Sequence, residues 1–114
     1  MARDSATPRN DLLKGTLDML ILQTLAVQKM HGYAIAQRIE ELSGGAIGAE
    51  AGSLYPALER VQKKGWAKSE WGVSTTGRRV RYYTITASGR KQLGIEISDF
   101  DAMFLAINRV LGRA

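Results

Sequence analysis

The chain has 114 residues, of which 45% are hydrophobic, and it carries a formal net charge of +5 at pH 7, a composition typical of one globular domain. It contains no cysteine and one histidine, so disulfides and thiolate zinc sites are excluded, and we expect neither a metal nor another cofactor. Acid-base or nucleophilic catalysis is hard to assemble from such a set of residues, which argues against an enzyme.

The N-terminal part of the chain predicts a flexible arm followed by a buried helix. Residues 1–11 are polar, and they contain no apolar segment after Arg3 of the kind found in a secretory signal. Leu13, Leu17 and Ile21 recur at helical spacing and predict a first helix over about residues 12–28. Its apolar stretch is interrupted by polar residues and is shorter than the roughly 20 residues of a membrane span, so we expect a cytoplasmic protein without a membrane partner.

Two shorter helices are predicted next. A turn at Gly32 leads into a helix over residues 33–42, and a connection rich in glycine and alanine follows. Ser53 is a natural N-cap for a third helix over residues 54–64, and Pro56 is tolerated in a first helical turn. The third helix presents an apolar stripe to the core, formed by Leu54, Leu58 and Val61.

The last third of the chain predicts a β-hairpin and a long helix. Residues 67–71 and 82–86 have the composition of short strands, with residues 72–80 as a flexible loop between them and Tyr83 facing the core. Thr86 is expected to cap a final helix of about 26 residues. The element order predicts a mainly α winged helix-turn-helix domain over residues 12–86, with a small β-hairpin, and a C-terminal dimerisation helix within residues 87–114.

Positive charge is concentrated in one segment of the chain. Seven basic side chains and one acidic side chain lie between Lys63 and Arg90, which gives this segment a net charge of +6 and leaves the rest at −1. A localised basic surface favours a nucleic-acid partner. The residues predicted to contact DNA lie on the third helix and the hairpin, namely Ser53, Tyr55, Pro56, Arg60, Lys63, Lys64, Thr75, Thr76, Arg78, Arg79 and Arg81.

The final helix is longer than a domain of this size needs to cover its own core. Its apolar residues are spaced 4, 3, 4, 3 and 4 apart, a pattern that predicts packing against a second copy of the chain. The predicted dimer interface consists of Leu93, Ile97, Phe100, Met103, Phe104, Ile107 and Leu111. A pocket for a small apolar or aromatic effector is predicted beside it, lined by Leu12, Leu13, Met19, Phe100, Met103 and Phe104.

Five short strings over about residues 12–111 match one family in order and spacing. They are LKGTL at residues 13–17, HGYAI at 31–35, GSLYPAL at 52–58, GW at 65–66 and YYTITASG at 82–89. The chain thereby resembles the PadR family. The resemblance implies a cytoplasmic, dimeric, DNA-binding regulator, usually a repressor released by a small molecule. Phe100 departs from the family pattern, which often has a tryptophan in the middle of the last helix.

Two alternatives remain open at this point. His31 is interpreted as a turn residue with a local hydrogen bond, whereas a pH sensor or a metal ligand is the other interpretation. The function is interpreted as that of a DNA-binding regulator, and a dimeric ligand-sensing or protein-interaction scaffold without its own operator is the alternative. The basic hairpin distinguishes the two functions, because such a scaffold does not need it.

Overall fold

The computed structural model describes residues 16–48 and 51–113. The predicted N-terminal arm and residues 12–15 lie outside the described residues. The element order is α1 (Leu17–Val27), β1 (Met30–His31), α2 (Gly32–Leu42), α3 (Ala51–Lys63), β2 (Ala67–Val73), β3 (Arg79–Ile85) and α4 (Ala87–Val110). This order confirms the prediction of a mainly α fold with a small β-hairpin and a long C-terminal helix.

The hydrophobic core is built around α1, which is surrounded by the other elements. Ile21, Leu22 and Leu25 of this helix are almost completely buried. Fully burying a side chain of this size stabilises the fold by about 1.5–3 kcal/mol. The other elements contribute Ile35, Ile39, Leu54, Ala57, Leu58, Val61, Ala67, Tyr83, Ile85 and Leu93 to the same core. No helix of the described residues is long and apolar enough to cross a membrane.

The third helix starts earlier than its sequence predicts. It begins at Ala51, so Ser53 lies within the helix and is not its N-cap, and Pro56 is its sixth residue, beyond the first turn. Proline has no N–H, so the hydrogen bond to the carbonyl of Gly52 is missing. Gly52 is exposed, so water can reach that carbonyl. The capping preference of serine was therefore a misleading signal for the start of this helix.

The sheet has three antiparallel strands in the order β1-β3-β2. The predicted strands were too short, because β2 and β3 are paired from Ala67 with Ile85 to Val73 with Arg79. Arg79 and Val80 therefore lie in β3 and not in the predicted loop, and Arg81 belongs to the same strand. The edge strand β1 pairs Met30 with Tyr83, although its sequence was interpreted as a turn, since two residues are too few to produce an alternating pattern.

The hairpin tip is a hydrogen-bonded turn over residues 74–78, shorter than the predicted loop over residues 72–80. The N–H of Ser74 donates to the carbonyl of Arg78 at 2.8 Å, and the N–H of Gly77 donates to the carbonyl of Ser74 at 2.9 Å. The hydroxyl of Ser74 accepts from the N–H of Arg78 at 3.2 Å. Gly77 has a φ of +82°, a left-handed conformation that glycine adopts without steric cost.

Side-chain hydrogen bonds cap the starts of α2 and α4, and the cap of α4 at Thr86 was predicted. The hydroxyl of Thr86 accepts from the N–H of Gly89 at 3.0 Å and caps α4. The Nδ1 atom of His31 accepts from the N–H of Ala34 at 3.3 Å and caps α2, so this histidine is a locally hydrogen-bonded residue as predicted. The helix α4 has 24 residues, ends at Val110 and therefore has a length of about 36 Å.

Candidate nucleic-acid interface

The helix α3 presents different residues in each direction, since successive positions are about 100° apart. Its buried stripe packs on α1 and the sheet. The side that points away from the core carries Pro56, Glu59 and Lys63, all exposed. The flank towards the sheet carries Tyr55 and Gln62. The other flank, on the side of Asp18 of α1, carries Ser53, Arg60 and Lys64.

Two neighbouring clefts separate α3 from the hairpin. The smaller cleft has a volume of about 480 Å³ and lies between Glu59, Lys63 and Arg81. The larger cleft, of about 930 Å³, continues between the start of α2 and the hairpin tip. Together they bring seven of the eleven predicted DNA contacts to one surface, namely Tyr55, Lys63, Thr75, Thr76, Arg78, Arg79 and Arg81.

Among the predicted contacts, Arg60 is the one that forms an ion pair with a carboxylate of the described residues. Its Nη2 atom donates to Oδ1 of Asp18 at 2.8 Å, and its Nε atom donates to Oδ2 at 3.4 Å. The hydrogen bond to Asp18 raises the pKa of Arg60 above its ordinary value. Arg60 therefore joins α3 to α1, and we do not count it among the free cations of the surface.

The remaining three predicted contacts lie outside the two clefts. The ammonium group of Lys64 lies 4.9 Å from the ring centroid of Trp66, so this side chain is directed towards the start of β2. Ser53 and Pro56 are exposed on α3. Seven of the predicted contacts therefore line the clefts. The other four lie on α3 or directly after its end, either on its outward side or on the flank next to Asp18.

The position of Tyr55 depends on a glycine in α2. A Cβ atom at Gly32 would lie 3.0 Å from Cε1 of the Tyr55 ring, so the absence of a side chain there allows the close approach. Tyr55 keeps 51% of its surface exposed, and it lines both clefts. Tyr83, in contrast, is buried as predicted, and burial raises the pKa of its hydroxyl.

Trp71 is a residue of this surface that sequence reasoning missed. Its indole is 54% exposed, and the guanidinium carbons of Arg79 and Arg81 lie 4.2 and 5.1 Å from its centroid. Trp71 and Arg81 are paired across β2 and β3, so their side chains share one face of the sheet. Strand alternation from buried Ala67 could have placed Trp71 on this face.

A short hydrogen-bond chain joins the hairpin to α3. The Nε atom of Arg81 donates to the hydroxyl of Ser69 at 3.1 Å. The same hydroxyl donates to Oε1 of Gln62 at 3.2 Å. The position of Arg81 is therefore defined by Trp71 on one strand and, through Ser69, by α3.

The predicted interface of α4 is largely exposed in one chain. Leu93 is buried in the core of its own domain, whereas the others are exposed. At 100° per residue they form an arc of about 120° around the helix, and Leu111 is the C-cap of α4. The ring centroids of Phe100 and Phe104 are 6.2 Å apart, and the two rings are stacked.

The predicted effector pocket is only partly within the described residues. Met19 packs against the core, whereas Leu12 and Leu13 lie outside the described residues.

Three helices, an antiparallel sheet and a hairpin beside the third helix define a winged helix-turn-helix domain. We refer below to the hairpin, residues 67–85, as the wing. Among the described residues, no group of three or more His, Cys, Asp or Glu side chains is arranged to hold a metal ion.

Similar structures come from several bacteria. A transcriptional regulator from Clostridium thermocellum is 29% identical, with a TM-score of 0.80 over 87% of this chain and 96% of that one. A PadR family regulator from Clostridium difficile R20291 is 28% identical, with a TM-score of 0.72 over 84% and 98%. A PadR family regulator from Eggerthella lenta is 26% identical, with a TM-score of 0.78 over 96% and 94%.

The model of the PadR-like family of transcriptional regulators matches residues 21–95. The chain therefore belongs to this family. The match includes α2, α3 and the whole wing, which carry the candidate interface. The family consists of transcriptional regulators, a class of protein that is in general not enzymatic.

Proposed function

We propose that the protein is a transcriptional repressor that binds a pseudo-palindromic operator as a homodimer. The observation that carries this proposal is the convergence of Lys63, Arg78, Arg79 and Arg81 around the clefts between α3 and the wing. Neutralising phosphates with such cations supplies much of the affinity of a DNA-binding protein. A helix-turn-helix protein of this type inserts its exposed helix into the major groove.

The cleft residues divide into two kinds of contact under this proposal. Arg78, Arg79 and the hydroxyls of Thr75 and Thr76 at the wing tip contact phosphates next to the groove, and they position the domain without reading sequence. Tyr55 extends its hydroxyl from α3 to a phosphate. The outward residues of α3 face the edges of the base pairs, where sequence is read.

The homodimer is supported by the exposed arc of α4. Phe104 is 56% exposed, and its neighbours on the arc are exposed as well. Covering this arc with the same helix of a second copy removes apolar surface from both chains at once. A two-fold axis then relates two α3 helices, so the operator half-sites are about 10 bp apart or a multiple of that spacing.

Under this proposal, a small apolar or aromatic effector binds between the two chains, beside α4. Phe100, Met103 and Phe104 provide an exposed apolar wall on α4, and Met19 of α1 packs against the core. A second copy would close this wall into a pocket between the two chains. Binding of the effector there would change the angle between the two DNA-binding units and release the operator.

The test is DNA binding measured as a function of salt concentration. The probe is the duplex upstream of the protein's own coding sequence, and the control is a scrambled duplex of equal length and composition. We expect tighter binding to the upstream duplex and a linear fall of log K with log salt concentration. A reporter gene behind the same duplex should be less expressed when the protein is present. Salt-independent or absent binding to both duplexes would favour a scaffold without an operator.

A further inference from the structure

Glu59 occupies an unexpected position for an acidic residue. It points about 150° away from the buried stripe of α3, and with Lys63 it forms the side of the helix that faces furthest outward. It lines the smaller cleft together with Lys63 and Arg81. The part of α3 that is proposed to enter the major groove therefore carries a carboxylate at its centre.

Glu59 differs from the acidic side chains of the wing and of α1 because it has no ion pair in the described residues. Within the described residues, the ion pairs closer than 4.0 Å are Lys29–Glu70, Arg38–Glu41 and Arg60–Asp18. The acid of the wing, Glu70, and the acid beside α3, Asp18, are both paired, whereas Glu59 belongs to none of these pairs. An unpaired carboxylate weakens general attraction to DNA, because it repels the phosphates.

The chemistry of the base edges indicates which base can donate a hydrogen bond to this carboxylate. An ionised carboxylate only accepts hydrogen bonds. The donors in the major groove are the amino groups of cytosine and adenine. On adenine, the amino group is adjacent to the acceptor N7 of the same base, which repels a carboxylate. On cytosine, the neighbouring atom on that side is C5, which carries no lone pair.

We propose that Glu59 is a specificity-determining residue that reads one cytosine in each operator half-site. The inference rests on the proposed DNA-binding function and adds the base that this function recognises. The carboxylate accepts a hydrogen bond from the cytosine amino group. Glu59 thereby lowers affinity for DNA in general and raises discrimination in favour of duplexes with a cytosine at that position.

The test is selection from a pool of duplexes with a randomised 30-bp segment, performed with the wild-type chain, Glu59→Gln and Glu59→Ala. We expect the wild-type consensus to contain one cytosine per half-site whose preference disappears with Glu59→Ala. Binding to four duplexes that differ only at this base pair should show about tenfold or greater preference for cytosine in the wild type and less than about twofold in Glu59→Ala. Glutamine pairs with adenine through N6 and N7, so Glu59→Gln should shift the preference to adenine.

A matched control separates base reading from charge alone. Glu40→Ala removes the same charge from an exposed position of α2 that does not line either cleft. We expect this variant to keep the wild-type preference at every position. Glu59→Ala should in addition bind scrambled duplex more tightly than the wild type, by about two- to fivefold, because a repulsive charge is gone.

Each failure has a separate meaning. If Glu59→Ala binds every duplex more tightly by one common factor and keeps the wild-type consensus, Glu59 is only a repulsive surface charge and the inference is wrong, while the DNA-binding function stands. If the wild-type chain selects no sequence and shows no salt-dependent binding, the proposed function fails. The thermal midpoints of both Glu59 variants should equal that of the wild type, since Glu59 is exposed.

Discussion

Asp18 on α1 holds Arg60 on α3 through two hydrogen bonds to the same guanidinium group. The two residues are 42 positions apart in the chain, so this contact fixes α3 relative to the central helix of the core. The side chain of Asp18 is 19% exposed and that of Arg60 is 45% exposed, which places the pair at the rim of the core. The pair therefore supports the helix that presents the candidate interface.

We expect Asp18→Asn to lower the free energy of unfolding by about 0.5–1 kcal/mol, because water partly screens a pair of this exposure. The measurement is urea unfolding followed by tryptophan fluorescence. Asp99→Asn is the control, since Asp99 is exposed on α4 and takes part in none of the ion pairs of the described residues. Equal stability of the two variants would mean that the Asp18–Arg60 pair contributes nothing measurable.

The double variant Arg78→Ala with Arg79→Ala tests the wing tip. Both arginines line the larger cleft, and as phosphate contacts they should matter equally for every DNA sequence. We expect weaker binding to operator and scrambled duplex alike, with the slope of log K against log salt concentration reduced by about 2.

A second double variant controls for the loss of net charge. Arg38→Ala with Lys91→Ala removes two positive charges from exposed positions of α2 and α4 that do not line either cleft. We expect this control to keep a salt slope close to that of the wild type. Wild-type affinity of the wing variant at moderate salt would show that the tip does not contact DNA.

Trp71→Ala tests whether the indole positions the wing arginines. An exposed cation–π contact contributes about 0.5–1 kcal/mol, so we expect operator affinity to fall by about two- to fivefold although no charge is lost. Trp71→Phe keeps an aromatic face and should recover most of the affinity. In the Arg79→Ala background the same substitution should have a smaller effect, and full additivity of the two losses would contradict the positioning role.

Gly89→Ala tests the docking of α4 on the start of β2. A Cβ atom at this position would collide with the carbonyl oxygen of Trp66 and would lie 2.8 Å from Cγ1 of Ile85. We expect a loss of about 1–3 kcal/mol of stability, measured by thermal or urea unfolding. Gly94→Ala is the control on the same helix, because its Cβ would meet no atom within 4 Å, and it should stabilise the chain by up to about 1 kcal/mol. Equal effects of both substitutions would contradict the described packing.

The fold was predictable where apolar residues follow a period over several turns. Leu54, Leu58 and Val61 were correctly placed in the core, and the spacing along α4 predicted a helix with an unusually long apolar side. Shorter or non-local features had no such signal. The strand at Met30 has two residues, and the Asp18–Arg60 pair joins positions that nothing in the local sequence relates.

The sequence predicted which basic residues belong to the candidate site, but it did not predict how their side chains are arranged or paired. The basic segment identified the wing arginines, but sequence alone treated Arg60 as equal to them, since composition does not reveal a partner on another helix. Trp71 was missed because the predicted strand ended there, whereas the ladder continues to Val73. The longer ladder also places Arg79 and Arg81 on β3, whereas the sequence predicted a loop up to residue 80.

The last prediction concerns the exposed arc of α4, where Phe104 lies near the middle of the arc's length along the helix. Phe104→Asp would place a carboxylate from each copy within the apolar contact between two chains, and burying unpaired charges is strongly unfavourable. Leu105→Asp is a matched control, because Leu105 is similarly exposed at 54% but lies about 100° round the helix from Phe104. We expect the wild type and Leu105→Asp to be dimers at micromolar concentration by light scattering, and Phe104→Asp to be a monomer with normal helix content. Operator affinity should fall by at least about tenfold in the monomer, since two linked half-sites become independent. A monomeric wild type, or a dimeric Phe104→Asp chain that binds the operator normally, would rule out this interface.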